Sequence, residues 1–353
     1  MKAIKKVYAI LQEPASYTID RNRAVYDKLG IEYCYINAVS HARNSDDIKE
    51  KSLMELSFKK RFAKLQNVLR HNDIVIINGY SDKIFIILFL INFFYRKSIG
   101  IDSDTQLRIP DNFFKRIVKR IYLKWVFTNP RIFGLPGGSG THKDLFRYYG
   151  MKDNHIFLMP MMVDNERFCC RPRKYFKPFV FLFVGRIIKL KNIDLMIDAF
   201  IKAFGNDKNI KLRIVGEGEE LNYLQTKFKN QTNIDFAGAR FGADLRMEYD
   251  NAHVFVLPST SEQWGLVVNE AMAAGLPVIV SDKVGAAFDL VEGYNTGFIF
   301  NSADIDALSK SMKQLVNDRQ TYFRYAENAY HRLNDEWNYD FYRECLEKFI
   351  KSV

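Results

Sequence analysis

The chain has 353 residues, 52 Lys and Arg against 41 Asp and Glu for a formal net charge of +11, and 48% hydrophobic and 26% charged residues. This composition excludes a long disordered chain, a collagen-like repeat and a disulfide-dense scaffold, and the length suits two domains of ordinary size. The four cysteines, Cys34, Cys169, Cys170 and Cys345, include no CxxC pair, so a reducing compartment, the cytoplasm, is expected.

The charge is uneven. Residues 1–170 hold 28 basic and 17 acidic side chains, whereas 171–353 hold 24 of each, so the whole excess lies in the first half. Such asymmetry fits an anionic partner such as phospholipid head groups or a lipid-phosphate acceptor, and it equally fits a solubilising surface. Charge alone speaks for nucleic acid, which is therefore not expected as a partner.

Taken in chain order, MKAIKKVYAILQEP opens with an apolar stretch too brief for a signal peptide, closed by Glu13 and Pro14, and reads as a first buried strand over 4–11. Further strands are expected at 32–37, 74–78, 98–102, 126–128 and 156–159, alternating with helical patterns. The apolar run at 84–95 is 12 residues long and interrupted by Asn92, short of the roughly 20 that span a bilayer, so it is expected to be a buried core helix. Residues 111–127, DNFFKRIVKRIYLKWVF, set Phe114, Ile117, Val118, Ile121 and Trp125 at helical spacing with Lys115, Arg116, Lys119, Arg120 and Lys124 between them. That is a basic amphipathic helix whose apolar stripe faces either the core or an anionic membrane surface.

The segment RPRKYFKPF at 171–179 has two prolines, four basic residues and no periodicity, which marks a linker between domains 1–172 and 173–334. Strands are expected beyond it at 179–184, 210–215, 234–237, 254–257 and 278–280. Residues 335–353 form an amphipathic helix with Trp337, Phe341, Cys345 and Phe349 on one face, suited to packing back on the first domain. Strands alternating with helices in both halves predict an α/β protein with two Rossmann-like parallel sheets.

Two segments carry chemistry. In FVFLFVGRIIKLKNIDLMIDAF (179–200) a strand runs through Gly185 into a basic loop and a helix starting near Lys191 and Asn192. Free backbone N–H groups and the helix dipole favour an anion at such a junction, and Arg186 and Lys191 add formal charge for a departing pyrophosphate. In VFVLPSTSEQWGLVVNEAMAAGLPVIVSD (254–282) a strand and loop lead through Glu262 to a helix opening near Gly265 and closing at Gly275, with Pro277 beyond. There Glu262 can accept from sugar hydroxyls, to which the N–H groups of Trp264 and Gly265 donate. Glu270, about 8 Å further along the axis among Val267, Val268, Ala271, Met272 and Ala273, needs hydrogen-bond donors such as ribose hydroxyls. The competing assignment makes Glu262 a charge partner of the helix start and Glu270 a solvent-facing residue.

Glu262 and Glu270 with seven residues between them, the run EAMAAGLPVIVSD, and the motifs VGRIIKLKN, IVGEGEE and FAGAR in this order resemble glycosyltransferase family 4 over about residues 179–300. The resemblance implies a GT-B fold of two facing Rossmann-like domains with an interdomain cleft, donor on the C-terminal domain and acceptor on the N-terminal one. It implies that Arg186 and Lys191 grip the diphosphate, Glu270 the ribose and Glu262 the transferred sugar. Gly216, Gly218, Ala239 and Arg240 would lie near the base, and Gly185, Trp264, Gly265 and Leu266 complete the expected donor contacts. It further implies retention, a UDP-sugar or GDP-sugar donor, no metal or other cofactor, and a glycan or lipid-linked acceptor. The setting it suggests is biosynthesis of a bacterial capsule, O-antigen or exopolysaccharide, in the cytoplasm or peripherally at the inner face of the membrane. Two rivals are a nucleotide-sugar epimerase of the same architecture and a non-catalytic nucleotide-sugar-binding subunit.

The first half departs from the family. EPASYTIDRN (13–22) stands where relatives have a glycine-rich loop, and GYSD (79–82) carries no histidine. Acceptor-side candidates are Tyr17, Asp102, Asp104 and His142. The triplet Asp102-Ser103-Asp104 has the oxygen ligands a hard cation prefers, but no second acidic cluster joins it, so a loop or acceptor-site role is expected.

Overall fold

The computed structural model describes residues 5–38, 52–169 and 175–353. Residue 4 of the expected first strand, Cys170, residues 171–174 of the expected linker and the expected domain boundary at 172/173 lie outside the described residues. The chain divides into two compact units, Met1–Met162 with Tyr339–Val353, and Val163–Asn338.

The first unit is built on a five-stranded parallel sheet in the order β2-β1-β3-β4-β5, formed by β1 (Val7–Leu11), β2 (Glu32–Tyr35), β3 (Ile74–Asn78), β4 (Ser98–Ser103) and β5 (Ile132–Pro136). Apart from Asn78, β1 and β3 are continuous apolar runs buried on both faces, as the strands of a covered parallel sheet must be. Two expected strands are corrected. Residues 126–128 close the Phe113–Phe127 helix, because Leu123, Val126 and Phe127 continue its apolar spacing into the core. Residues 156–159 contribute only an isolated bridge from Ile156 to Gly134 of β5. The strand β5 itself was hidden by its own Gly134 and Pro136, residues that usually break strands. Gly134 is required there, since a Cβ would meet the Phe146 ring at 2.7 Å.

The final helix, Tyr339–Ser352, buries Tyr342, Leu346 and Phe349, spaced i, i+4 and i+7. The Phe349 ring packs on Phe133 at 5.7 Å between centroids and sits over Gly100, where a Cβ would approach it to 3.0 Å. The expected face of this helix is thereby corrected. Trp337 precedes the helix and stacks on Trp264 of the second unit at 5.7 Å, and the buried stripe runs one residue out of step with Phe341 and Cys345.

The apolar run at 84–95 forms the Lys83–Tyr95 helix and buries Ile84, Phe85, Leu88, Phe89 and Ile91. The interrupting Asn92 is part of its terminus: its side-chain amide donates to the Lys97 carbonyl at 2.7 Å and accepts from the Lys97 N–H at 2.9 Å. In the Phe113–Phe127 helix, capped by the Asn112 side chain, the buried residues are Leu123, Val126 and Phe127. Phe114, Ile117, Val118, Ile121 and Trp125 are all exposed, so the core-facing assignment of that stripe is corrected.

The second unit carries a six-stranded parallel sheet in the order β11-β10-β9-β6-β7-β8. Its strands are β6 (Phe179–Val184), β7 (Ile210–Val215), β8 (Ile234–Gly238), β9 (Val254–Leu257), β10 (Val278–Ser281) and β11 (Gly297–Phe300). Only the short edge strand β11 was not expected. The chain moves outward from β6 through β7 to β8, then returns to the other side of β6 with β9. Such a reversal leaves a crevice at the carboxyl ends of the two central strands, where ligands of open α/β sheets bind.

Candidate functional site

The loops after β6 and β9 meet at this switch point. After Gly185 and Arg186 the chain makes a short turn, Lys189–Lys191, and enters the Ile193–Phe204 helix through Asn192 at φ 54°. Asn tolerates this left-handed conformation better than most residues, and its side-chain amide is fixed by donating to the Ser302 carbonyl at 2.9 Å. After β9, Ser259 and Glu262 lead to Gly265 at φ 94°, which starts the Leu266–Ala273 helix. A Cβ at Gly265 would press on Glu262 Cγ at 3.2 Å, so the turn needs glycine for both backbone freedom and space.

The two loops are stitched together. The Thr260 N–H donates to the Leu190 carbonyl at 2.9 Å, Lys191 Nζ forms an ion pair with Glu262 Oε2, and Ser259 Oγ donates to the same oxygen at 3.4 Å. The paired side chains are 13% and 18% exposed, so solvent screens their attraction only partly. Glu262 is also held through its backbone, its N–H donating to Lys283 and its carbonyl accepting from Gly285.

A third loop, after β7, explains the glycines of IVGEGEE. Its Val215 and Glu217 carbonyls accept from Gly185 and Ile187 at 3.0 and 2.8 Å, drawing the β7 loop against the loop that carries Arg186. A Cβ on Gly216 would stand 1.8 Å from the Gly185 carbonyl oxygen, and one on Gly218 2.2 Å from that of Ile187. Both positions are therefore glycine because main chain meets main chain. The Arg186 side chain is exposed and has no ion-pair or hydrogen-bond partner among the described residues.

Glu270 lies deeper on the Leu266–Ala273 helix, where Oε2 accepts from Tyr249 Oη at 2.7 Å. Burial pushes its carboxyl up to about 7, with the Tyr249 bond opposing the rise. A largely buried carboxylate excludes the solvent-facing assignment. Trp264 is 2% exposed; its indole N–H donates to Asn269 Oδ1 at 2.7 Å, so its ring anchors the helix start and leaves only its backbone for a ligand. Leu266 is the first residue of that helix, where N–H groups lack intrahelical acceptors. Arg240, beside Ala239 at the end of edge strand β8, turns to Glu248 at 3.5 Å and donates to the Ala239 carbonyl at 3.3 Å. Glu248 also takes two bonds from Arg213, and these residues border a groove of about 620 Å³.

The structure thus brings Gly185, Arg186, Lys191, Gly216, Gly218 and Glu262 to one set of loop ends, with Gly265 and Leu266 adjoining, while Glu270 is tied to Tyr249 and Arg240 to Glu248. Tyr249 and Ser259 were not found from the sequence. No spacing links Tyr249 to Glu270, and a serine in a loop carries no signal of its own.

In the first unit, Asp102 is the last but one residue of β4 and is 5% exposed. Asn78 Nδ2 donates to its Oδ2 at 2.7 Å, and Arg21 Nη1 lies 3.5 Å from the same oxygen. The Arg21 guanidinium also covers the rings of Tyr26 and Tyr342 at 5.1 and 5.5 Å. Asp104 is exposed, Tyr17 is half-buried with its hydroxyl pushed up by burial and by Asp104, and His142 is buried in the Thr141–Tyr148 helix. Among the described residues no group of three or more His, Cys, Asp or Glu is placed to hold a metal ion.

Burial raises the Asp102 carboxyl from 3.8 to about 6 against the opposing pull of Arg21 and Asn78. A carboxyl raised on folding stabilises the protein below its unfolded value and loses that contribution as pH rises through the folded one. Arg21→Ala leaves an uncompensated buried charge and is expected to cost about 3–5 kcal/mol near neutral pH. Urea denaturation should show this cost shrinking as pH falls through about 6, where Asp102 takes up its proton; a cost independent of pH would reject the ion pair as its source.

Comparison with known proteins agrees with this fold. The crystal structure of HepE from Anabaena in complex with UDP matches 99% of this chain and 100% of its own, with a TM-score of 0.74 at 16% identity. At that identity the likeness defines the fold, which is GT-B: two Rossmann-like domains with parallel sheets. Residues 171–332 match the family described as Glycosyl transferases group 1. The chain is 30% identical over 206 residues to the capsular polysaccharide biosynthesis glycosyltransferase CapM of Staphylococcus aureus, covering 56% of this chain and 53% of that protein. It is 32% identical over 194 residues to the sulfoquinovosyl transferase SQD2 of Arabidopsis thaliana, covering 51% and 36%. The chain spans about a third to a half of the length of these curated relatives.

Proposed function

We propose that this protein is a retaining glycosyltransferase that moves a hexosyl unit from a UDP-sugar or GDP-sugar to a hydroxyl of a glycan or lipid-linked acceptor. The observation that carries the reading is the pairing of Lys191 with Glu262 beside Arg186, which has no partner among the described residues, at the switch point of a sheet lying within the matched family segment. On donor binding, Lys191 exchanges Glu262 for a phosphate oxygen and Glu262 turns to the sugar hydroxyls. As the bond from the anomeric carbon to the diphosphate breaks, its electron pair passes to the departing oxygen, where Arg186 and Lys191 meet the charge without a metal, while the acceptor hydroxyl oxygen bonds to that carbon on the vacated face and passes its proton to the departing diphosphate. Ribose hydroxyls donate to Glu270. CapM, among the relatives, supports surface polysaccharide as the setting.

A thermal-shift screen against UDP-, GDP-, ADP- and TDP-sugars tests donor binding, because a ligand of the native state alone raises the melting temperature. Transfer of labelled sugar to an acceptor then tests the reaction. A donor that shifts melting yet is interconverted without acceptor would make the protein an epimerase, and no shift with any donor would remove the reading.

Glu270 adds a pH dependence. Its carboxyl titrates near 7 in the free protein, and hydroxyl donors bind its ionised form better. Donor affinity measured by calorimetry is expected to weaken as pH falls from 8 to about 6, and Glu270→Gln is expected to flatten that profile while weakening binding about tenfold at pH 8. An unchanged slope in the variant would exclude Glu270 as the group responsible.

A further inference from the structure

Two helices of the first unit leave a joined apolar face uncovered. On the Phe113–Phe127 helix the exposed residues Phe114, Val118, Ile121 and Trp125 lie at i, i+4, i+7 and i+11, one stripe along the helix, and are 77%, 67%, 67% and 50% exposed. On the Lys83–Tyr95 helix, Phe93 and Phe94 are 52% and 88% exposed. The Phe93 and Trp125 rings stack at 6.3 Å and merge the two stripes. A contiguous aromatic and aliphatic surface of this kind has a use, since monomeric proteins seldom leave one open to water.

Basic side chains surround it. Lys115, Arg116, Lys119, Arg120 and Lys124 share the helix, residues 113–127 contain no acidic residue, and Lys115, Arg120 and Lys124 have no ion-pair partner among the described residues. We propose that this face docks on an anionic phospholipid surface, with Phe114, Val118, Ile121, Trp125, Phe93 and Phe94 entering the boundary between head groups and acyl chains and the cations meeting the phosphates. Charge complementarity selects lipid over a second copy of the chain: an isologous contact through this face would set like charges against each other. At about 1.5 Å per residue the two helices reach only about 20 and 22 Å against roughly 30 Å of hydrocarbon. No described helix is long and apolar enough to cross a membrane, so these two lie along the surface.

The three tryptophans supply the probe. Trp264 and Trp337 are each 2% exposed, so a change in emission on adding vesicles reports Trp125. The full chain is mixed with vesicles of phosphatidylcholine, or of equal phosphatidylcholine and phosphatidylglycerol, and followed by co-sedimentation and fluorescence. Binding and a blue shift are expected with the anionic vesicles, both falling as salt rises; Trp125→Phe should keep binding and lose the shift. The pair Lys115→Glu with Arg120→Glu should lower partitioning at least about tenfold, since each surface cation contributes measurably to anionic-lipid binding. Arg186→Ala should bind as the parent does, so failure of the donor-site reading leaves this inference standing. No binding, equal binding to both vesicles, or a lipid-free dimer dissolved by Ile121→Glu would overturn it.

Discussion

Arg186→Ala is expected to lower the rate of sugar transfer by about 10²–10³-fold, the cost of removing one preorganised group that stabilises developing charge. The side chain is exposed and makes no bond within the described protein, so its removal leaves folding and melting temperature near the parent values. Lys191→Ala is expected to lose rate to a similar degree by a different route. It removes a cation from the phosphate and also leaves the partly buried Glu262 without its counter-charge. Its melting temperature should therefore fall, and Glu262→Gln in the same chain should recover part of that stability without recovering rate. Turnover measured at saturating donor and acceptor, together with circular dichroism melts, separates the two effects. An Arg186→Ala enzyme within about twofold of the parent would exclude charge stabilisation by this residue.

The second large effect concerns Gly216. Alanine there would put a Cβ 1.8 Å from the Gly185 carbonyl oxygen on a backbone held at φ 144°. Both obstacles are main chain, so neither moves as a flexible side chain does, and the β7 loop must separate from the loop carrying Arg186. A loss of more than about 3 kcal/mol is expected by urea denaturation, within the range reserved for strain at a special backbone position. Gly205→Ala is the control. Gly205 also has a positive φ, of 55°, with ψ −128°, but nothing lies within 4 Å of a Cβ, so only backbone strain of about 1–3 kcal/mol is expected. Equal losses in the two variants would show that close approach contributes nothing at Gly216.

The contrast also shows where sequence reading stops. Gly216 and Gly218 were visible as a motif, but they were expected near a base, and the structure gives them a mechanical reason. The Lys191–Glu262 pair joins residues from loops after β6 and β9, and only the sheet order, which seats β9 beside β6, brings them together. Asp102 was visible as part of a triplet suited to a cation, yet its partner is Arg21 on the helix after β1, which no spacing announces. Local pattern misled where two structures share a period. The stripe Phe114, Val118, Ile121 and Trp125 has the spacing of a core face, but Leu123, Val126 and Phe127 on another side of the helix reach the core first.

The sequence by itself determined the α/β class, most strands of both sheets, the glycines and proline that punctuate the family segment, and the charge asymmetry between the halves. These depend on hydrophobic period and backbone allowance, which are properties of neighbouring residues. Tertiary structure alone decided which carboxylates are paired, that Glu270 turns inward to Tyr249, which face of the basic helix meets water, and that the last helix seats Phe349 over Gly100. Each of these is a meeting of residues distant in the chain, set by strand order and by the space that packing leaves, and no local pattern encodes either.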